Sequence, residues 1–248
     1  MVRDVVLLLL VGCGRFGFGE HGDPADTLGT VDTTAGFPAG LVSWFPLDDA
    51  SATNFADVVS GFGGTCNGTQ CPIPTAGHRG NAFKFDGNDD CLEVANMGQF
   101  GPQITHSVWF RQDANDLCSI VAKPAYSVSA TADTWQLETS MLNAVSFVSS
   151  HGTTSNHRIN TPDNTLAMST WTHFAVTYDG AIKRLYLDGV EVANGAIATP
   201  LTYDVQNMFI GCDNNSGTLV ERCNGAIDEL QVYNRALTPT EIQMLAAR

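Results

Sequence analysis

The chain has 248 residues, and its twelve Lys and Arg face twenty-six Asp and Glu, a formal charge of −14. With so little to neutralise phosphates, it does not read as a nucleic-acid binder. A hydrophobic share of 44% with only 15% charged residues is too apolar for a disordered chain, and the apolar stretches are too interrupted for a bundle of membrane helices.

Arg3 precedes an uncharged run, Val5 to Gly12, too short to span a bilayer but long enough for the centre of an export signal. The run ends Leu10-Val11-Gly12-Cys13, which resembles a bacterial lipobox. That resemblance implies a signal peptide over 1–12 and a lipidated Cys13 as the new N-terminus, with an ordinary secretory signal as the alternative. Gly14, where Asp would retain a lipoprotein at the inner membrane, implies the outer membrane or cell surface. Residues 13–37, rich in Gly, Asp, Thr, Ala and Pro, read as a flexible tether to a domain over 38–248.

Beyond the tether come short alternating segments separated by Gly, Asn and Asp. Gly40–Leu47 reads as a strand; Ala82–Asp86 and Cys91–Val94 read as a hairpin around Gly87-Asn88-Asp89. In Ile104–Arg111 the alternation turns Ile104, His106, Val108 and Phe110 to one side, making His106 a core histidine. Ser119–Lys123, Thr134–Glu138 and Ala144–Val148 follow as weaker strands. Trp171–Tyr178, Lys183–Leu187 and Val190–Ala193 are joined by Asp-Gly turns, and Met208–Gly211 and Ala226–Tyr233 close the set. Period-2 strands without βαβ units predict an all-β fold of two packed antiparallel sheets. Thr238-Pro239-Thr240-Glu241 predicts one short C-terminal helix with Ile242, Leu245 and Ala246 on one face.

Cys13 aside, six cysteines remain, a parity suited to disulfides in an exported protein, and their connectivity is open. Cys66–Cys71 brackets a tight turn, Cys212–Cys223 flanks a polar loop, and Cys91–Cys118 is what remains. The spacings suit no zinc finger.

Four segments, in order, carry a family resemblance. They are Gly40–Asp48 (GLVSWFPLD), Gly80–Asp90 (GNAFKFDGNDD), Trp171–Gly180 (WTHFAVTYDG) with Leu185–Gly189 (LYLDG), and Gly225–Leu237 (GAIDELQVYNRAL). Together they resemble laminin G-like jelly-roll domains of the concanavalin A-like lectin/glucanase superfamily. The resemblance implies a two-sheet jelly-roll sandwich over 38–248, a fold that hosts lectins, adhesion modules and hydrolases alike.

The paired-carboxylate string of the glucanase branch, Glu-x-Asp-x-x-Glu, is missing, and no nucleophile elbow, phosphate loop or zinc-protease helix is present. The chain therefore reads as a non-catalytic binding module for a glycan or a protein. The alternatives are a structural or adhesion component of the envelope with a protein partner, and a glycoside hydrolase with an atypical site. By resemblance to pentraxins, Asp213, Asn214 and Asn215 stand where calcium ligands would be, with Asp133 as partner from a neighbouring hairpin; Asp48 and Asp228 offer an alternative, structural cation site. Asp86, Asp89 and Asp90 read as turn makers. Trp44, Trp109 and Trp171 occupy strand positions, and Trp135, beside a loop, is the candidate platform for stacking a sugar.

Overall fold

A computed structural model describes residues 36–66 and 68–248. The signal peptide over 1–12, the lipidated Cys13 and the tether up to residue 35 lie outside the described residues. Phe37 already packs edge-on against Trp44, with the Arg248 guanidinium over its ring, one residue ahead of the expected domain start.

The strands are β1 (Leu41–Phe45), β2 (Asn54–Ala56), β3 (Gly63–Thr65), β4 (Ile73–Ala76), β5 (Asn81–Asp86), β6 (Leu92–Val94), β7 (Ile104–Gln112), β8 (Cys118–Pro124) and β9 (Asp133–Thr139). They continue as β10 (Val145–His151), β11 (Thr154–Asn160), β12 (Trp171–Tyr178), β13 (Ile182–Leu187), β14 (Val190–Ala196), β15 (Met208–Ile210), β16 (Asp213–Asn215), β17 (Thr218–Val220) and β18 (Asn224–Tyr233), with α1 (Pro239–Ala246) last. Every expected strand is present. β2, β3, β4, β11, β16 and β17 were not expected: they are short, or so polar, as in TSNHRIN of β11, that no apolar alternation marks them.

Two eight-stranded sheets pack face to face. The first runs β14-β13-β12-β7-β18-β5-β4, with β1 also paired to β18; the second runs β11-β10-β9-β8-β15-β6-β3-β2. All these pairings are antiparallel. The fold is thus the expected two-layer sandwich. Ile104, Val108, Phe110, Phe174 and Val176 of the first sheet meet Ile120, Trp135, Leu137 and Phe147 of the second in one core. His106 is buried among them against Trp135, ring centroids 4.0 Å apart, and burial pushes its pKa down to about 3. It is a neutral core residue, as the alternation requires.

The helix covers the outer face of the first sheet. Ile242 and Leu245 pack there with Ala175, Tyr186, Tyr233 and Leu237. Thr238 caps it, accepting from the Glu241 amide while the Glu241 carboxylate accepts from the Thr238 amide, and Pro239 occupies the first turn.

Among the described residues three disulfides are present. Cys66–Cys71 closes its turn as expected. The other two expected pairs are wrong: Cys91 joins Cys212, and Cys118 joins Cys223. Strand register, not closeness in sequence, decides this. Ile210 of β15 pairs with Leu92 of β6, which delivers Cys212 to Cys91, Cα atoms 5.4 Å apart. The Ser119 amide donates to the Glu221 carbonyl, and the Cys223 amide to the Gly211 carbonyl, which brings Cys223 to Cys118 at the start of β8. Gly211, at φ +76°, allows the turn between β15 and Cys212; a Cβ there would lie 2.1 Å from the Phe85 ring. Segment 212–223 is therefore stapled at both ends to other strands rather than closed on itself.

Candidate functional site

The stapled segment forms the hairpin β16–β17, Asp213 pairing with Val220, and lies over the outer face of the second sheet. That face should be open to water. Instead β8, β9 and β10 are buried along their whole length. On β9 the alternation sends Trp135 and Leu137 into the core and leaves Gln136 and Glu138 on the outer face, under the hairpin's edge.

Here a cavity of about 170 Å³ is lined by Asp133, Gln136, Glu138, Asn156, Arg158, Asp213, Asn215 and Glu221. Asp133 and Asp213 are only 3% and 2% exposed. Their carboxyl groups are in hydrogen-bond contact, and the Asp213 Oδ1 atom has no hydrogen-bond partner. Gln136 donates to Glu221 at 2.6 Å, and Arg158 is ion-paired with Glu138. The one cation of the cleft is thus paired with Glu138 and also lies near enough to Glu221 to lower its pKa, while Asp133 and Asp213 have no ion pair. Burial first, then the charges of Asp213 and Glu221, push the Asp133 pKa up; burial raises Asp213; burial and then the Asp213 charge raise Glu221. Each shift says that burial makes a negative charge hard to hold here, and at Asp133 and Glu221 the neighbouring carboxylates add to that cost.

The expected pairing of Asp133 with Asp213 across two elements is therefore present, and Asn215 joins them on the cleft wall. Asn214 does not: its Oδ1 accepts from the Gly217 amide and from Tyr126 Oη, fixing the hairpin turn. The assignment of Trp135 as a sugar platform is overturned. It is fully buried, because its position on β9 faces the opposite sheet. Gln136, Glu138, Arg158 and Glu221 were missed. The alternation of TWQLE carried a signal for the first two, since a core-facing Trp135 and Leu137 put Gln136 and Glu138 outside. Glu221 and Arg158 depend on the hairpin and the polar edge strand β11, which no local pattern announced.

The donor set suits a hard cation such as Ca2+: carboxylate oxygens of Asp133, Asp213 and Glu221, amide oxygens of Asn215 and Gln136, and one buried carboxylate oxygen without a partner. Among the described residues, the trio whose ligand atoms all lie within 4.8 Å of one another is elsewhere, at Asp86, Asp89 and Asp90. Two of its members are engaged as turn chemistry demands: Asp86 accepts from the Asn88 amide and side chain, and Asp90 from the Asp86 amide.

Asp48 and Asp228 also meet, around the turn leading into β5. Asp48 Oδ1 accepts from the Asn81 amide at 2.6 Å, and Asp228 Oδ2 from the Arg79 amide at 2.9 Å. Asp228 is fully buried with Oδ1 unpartnered. Beside it, Glu229 sits at φ +53° in a bulge of β18 and accepts from Trp44 Nε1. Burial, then the charges of Glu229 and Asp48, push the Asp228 pKa up to about 7.

A family model described as the concanavalin A-like lectin/glucanases superfamily matches residues 86–243. Among curated proteins, mouse pappalysin-1 is 32% identical over 77 residues, covering 29% of this chain and 4% of that much longer protein. Among solved structures, the binding domain of Paraclostridial Mosquitocidal Protein 1 is similar with a TM-score of 0.67 at 15% identity, covering 84% of this chain and 52% of that one. Domain 4 of AbnA, a GH43 extracellular arabinanase from Geobacillus stearothermophilus, in complex with arabinotriose, matches with a TM-score of 0.56 at 19% identity, covering 83% of this chain and 98% of that one.

Proposed function

The chain belongs to the concanavalin A-like lectin/glucanases superfamily, and on that footing we propose that it is a non-catalytic binding module that holds a carbohydrate in the cleft between β9, β11 and the β16–β17 hairpin, assisted by Ca2+. The observation that carries this reading is the buried Asp133–Asp213 pair, which has no ion pair and holds a partnerless carboxylate oxygen, in the wall of a polar cleft. In the proposal Asp133, Asp213, Glu221 and Asn215 hold the ion, which supplies positive charge and open coordination positions for sugar hydroxyls. Gln136, Glu138, Asn156 and Arg158 orient the ligand. The arabinotriose bound to a similar domain supports a glycan over a peptide.

The test is a glycan array and titration calorimetry with Ca2+ and with chelator. Saccharide binding that weakens in chelator is expected. No binding in either condition removes the lectin reading and leaves the adhesion alternative, for which a stoichiometric protein partner would co-purify.

One observation favours a second reading. Four carboxylates, Asp133, Glu138, Asp213 and Glu221, share the cleft, and three have raised pKa values, as in glycoside hydrolases. Against it, Asp133 and Asp213 touch, whereas hydrolytic pairs stand about 5–9.5 Å apart. Release of reducing ends from a bound oligosaccharide would decide for hydrolysis.

The three disulfides support an exported protein. The proposed anchor is a lipid on Cys13, holding the module at the outer membrane or cell surface. Loss of membrane association in Cys13→Ser is its test.

A further inference from the structure

The acidic cleft does not end at the hairpin. Asn215 and Glu221 line it on one side and also border a second, wider depression of about 530 Å³, bordered as well by Asp116, Leu117 and Arg222. The two spaces adjoin along the same β16–β17 wall, and the wider one is open to solvent.

Arg222 stands apart from the other arginines of the described residues. Arg79, Arg111, Arg158, Arg184 and Arg235 each pair with a carboxylate, and Arg248 donates to the Gly36 carbonyl and stacks on Phe37. Arg222 has no ion pair within 4.0 Å and no hydrogen bond, and its Nε is shielded from water without an acceptor. A half-buried guanidinium in this state lacks the compensation that such a group normally finds. Around it are acceptors that do not neutralise it, Asp116 and Glu221, the amide of Asn215, and an exposed apolar side chain, Leu117. Donors and acceptors alternating beside an apolar surface match the hydroxyls and C–H face of a sugar ring.

We infer that Arg222 marks a second sugar subsite, so that the module recognises the interior of a neutral, linear oligosaccharide lying across the hairpin wall, rather than a single terminal sugar. The inference rests on the proposed saccharide binding and specifies its ligand class. Neutrality follows from charge: the acids beside Arg222 and the net −14 of the chain oppose an anionic glycan. Interior recognition follows from the shared wall, since a ligand touching both Glu221 faces must be longer than one ring. The wall is held in place before binding, because disulfides fix residues 212 and 223.

The test is calorimetry in Ca2+ with arabinose, xylose and glucose and their linear di- to pentasaccharides, beside an oligogalacturonate series. In the native chain a neutral trisaccharide should bind at least about tenfold tighter than its monomer, the effect of a further set of hydrogen bonds. Arg222→Ala should erase that gain, weakening the trisaccharide far more than the monomer and without lowering the melting temperature; Arg222→Lys, which keeps the charge but not the planar fork, should restore only part. Equal affinity for monomer and trimer, an intact length dependence in Arg222→Ala, or preference for oligogalacturonate overturns the inference while saccharide binding stands. Absence of binding by every sugar overturns both.

Discussion

Asp213→Asn separates a carboxylate retained for a cation from one that merely packs. The substitution keeps the shape of the side chain and removes one negative charge from a group whose other members are Asp133 and Glu221. Two unit charges about 4 Å apart at an effective dielectric constant of about 20 repel by ~4 kcal/mol. The folded protein escapes part of this by keeping a proton on the Asp133–Asp213 pair, as the raised pKa values of both require. A group whose pKa is raised on folding supports stability in acid and withdraws that support as the pH rises through the folded value. At pH 8 without metal the native chain therefore carries a residual penalty of about 1–2 kcal/mol that the variant lacks. For a domain of this size each kcal/mol moves the melting temperature by about 2–4 °C. Asp213→Asn should thus melt roughly 2–8 °C higher than the native chain at pH 8 in chelator, and by much less at pH 5. Saturating Ca2+ should reverse the order, because a ligand at a hundred times its dissociation constant stabilises the native fold by about 2.7 kcal/mol and the variant has lost a ligand oxygen. Differential scanning calorimetry at pH 5 and 8, with chelator and with Ca2+, reads all four conditions. A variant that melts lower than the native chain in chelator at pH 8, or a Ca2+ shift equal in both proteins, would refute the reasoning.

Asp228, pushed up to about 7, and Asp90, pushed up to about 6, both by burial first, carry the same sign: the contribution of each to stability falls as the pH rises from about 4 through its folded value, while His106, His151 and His173, pushed down by burial, act in the opposite sense below about pH 6.5. The stability difference between Asp228→Asn and the native chain in urea titrations should therefore grow in favour of the variant from about pH 4 to pH 8, and a difference that stays constant over that range would contradict the assignment. Breaking Cys118–Cys223, a cross-link spanning 105 residues, by a double Ser substitution should cost about 3–5 kcal/mol in urea unfolding. Non-reducing peptide mapping should recover Cys91 with Cys212 and Cys118 with Cys223; a peptide linking Cys212 to Cys223 would sink the assigned register. Thr238→Ala should remove the helix cap and cost about 1 kcal/mol, seen as a small drop in melting temperature without loss of ligand binding.

What could be read from the residues follows the range over which their information acts. Phe83 and Phe85 alternate with polar neighbours before a Gly-Asn-Asp turn, and the 104–111 and 171–178 segments send alternate apolar side chains, Val108 and Phe110, Phe174 and Val176, into the core, so β5, β7 and β12 announce themselves. The capping box of α1 lies within four residues and was equally plain. β11 did not announce itself: as an edge strand it presents Thr, Ser, Asn and Arg, and one buried residue, Ile159, is too little to set a period. The cysteines failed for a related reason. Nearness along the chain favoured Cys212 with Cys223, but the β15–β6 register sends the first to Cys91. Trp135 was taken for a rim residue because a loop precedes it, although Leu137 two positions on already fixed its side of the sheet. The family resemblance brought Asp133 and Asp213 together before any coordinates did; Glu221, Arg158 and Arg222 needed the folded hairpin.

The two long-range disulfides and the acidic cleft answer the same physical problem. Crowded carboxylates gain free energy by moving apart into water, and the hairpin that carries Asp213 is short, at the margin of what holds together alone. Left as a free loop, segment 212–223 would relieve the repulsion by lifting off the sheet, and Asp213 and Glu221 would leave Asp133 behind. Cys91 and Cys118 remove that escape, one at each end. The charges can then be relieved only by taking up a proton or a cation, or by polar groups of a ligand. A purely structural hairpin would need no such arrangement, because an apolar residue at position 213 would pack over β9 without penalty. The tension between staple and charge therefore supports the proposal that this cleft takes up a ligand or an ion.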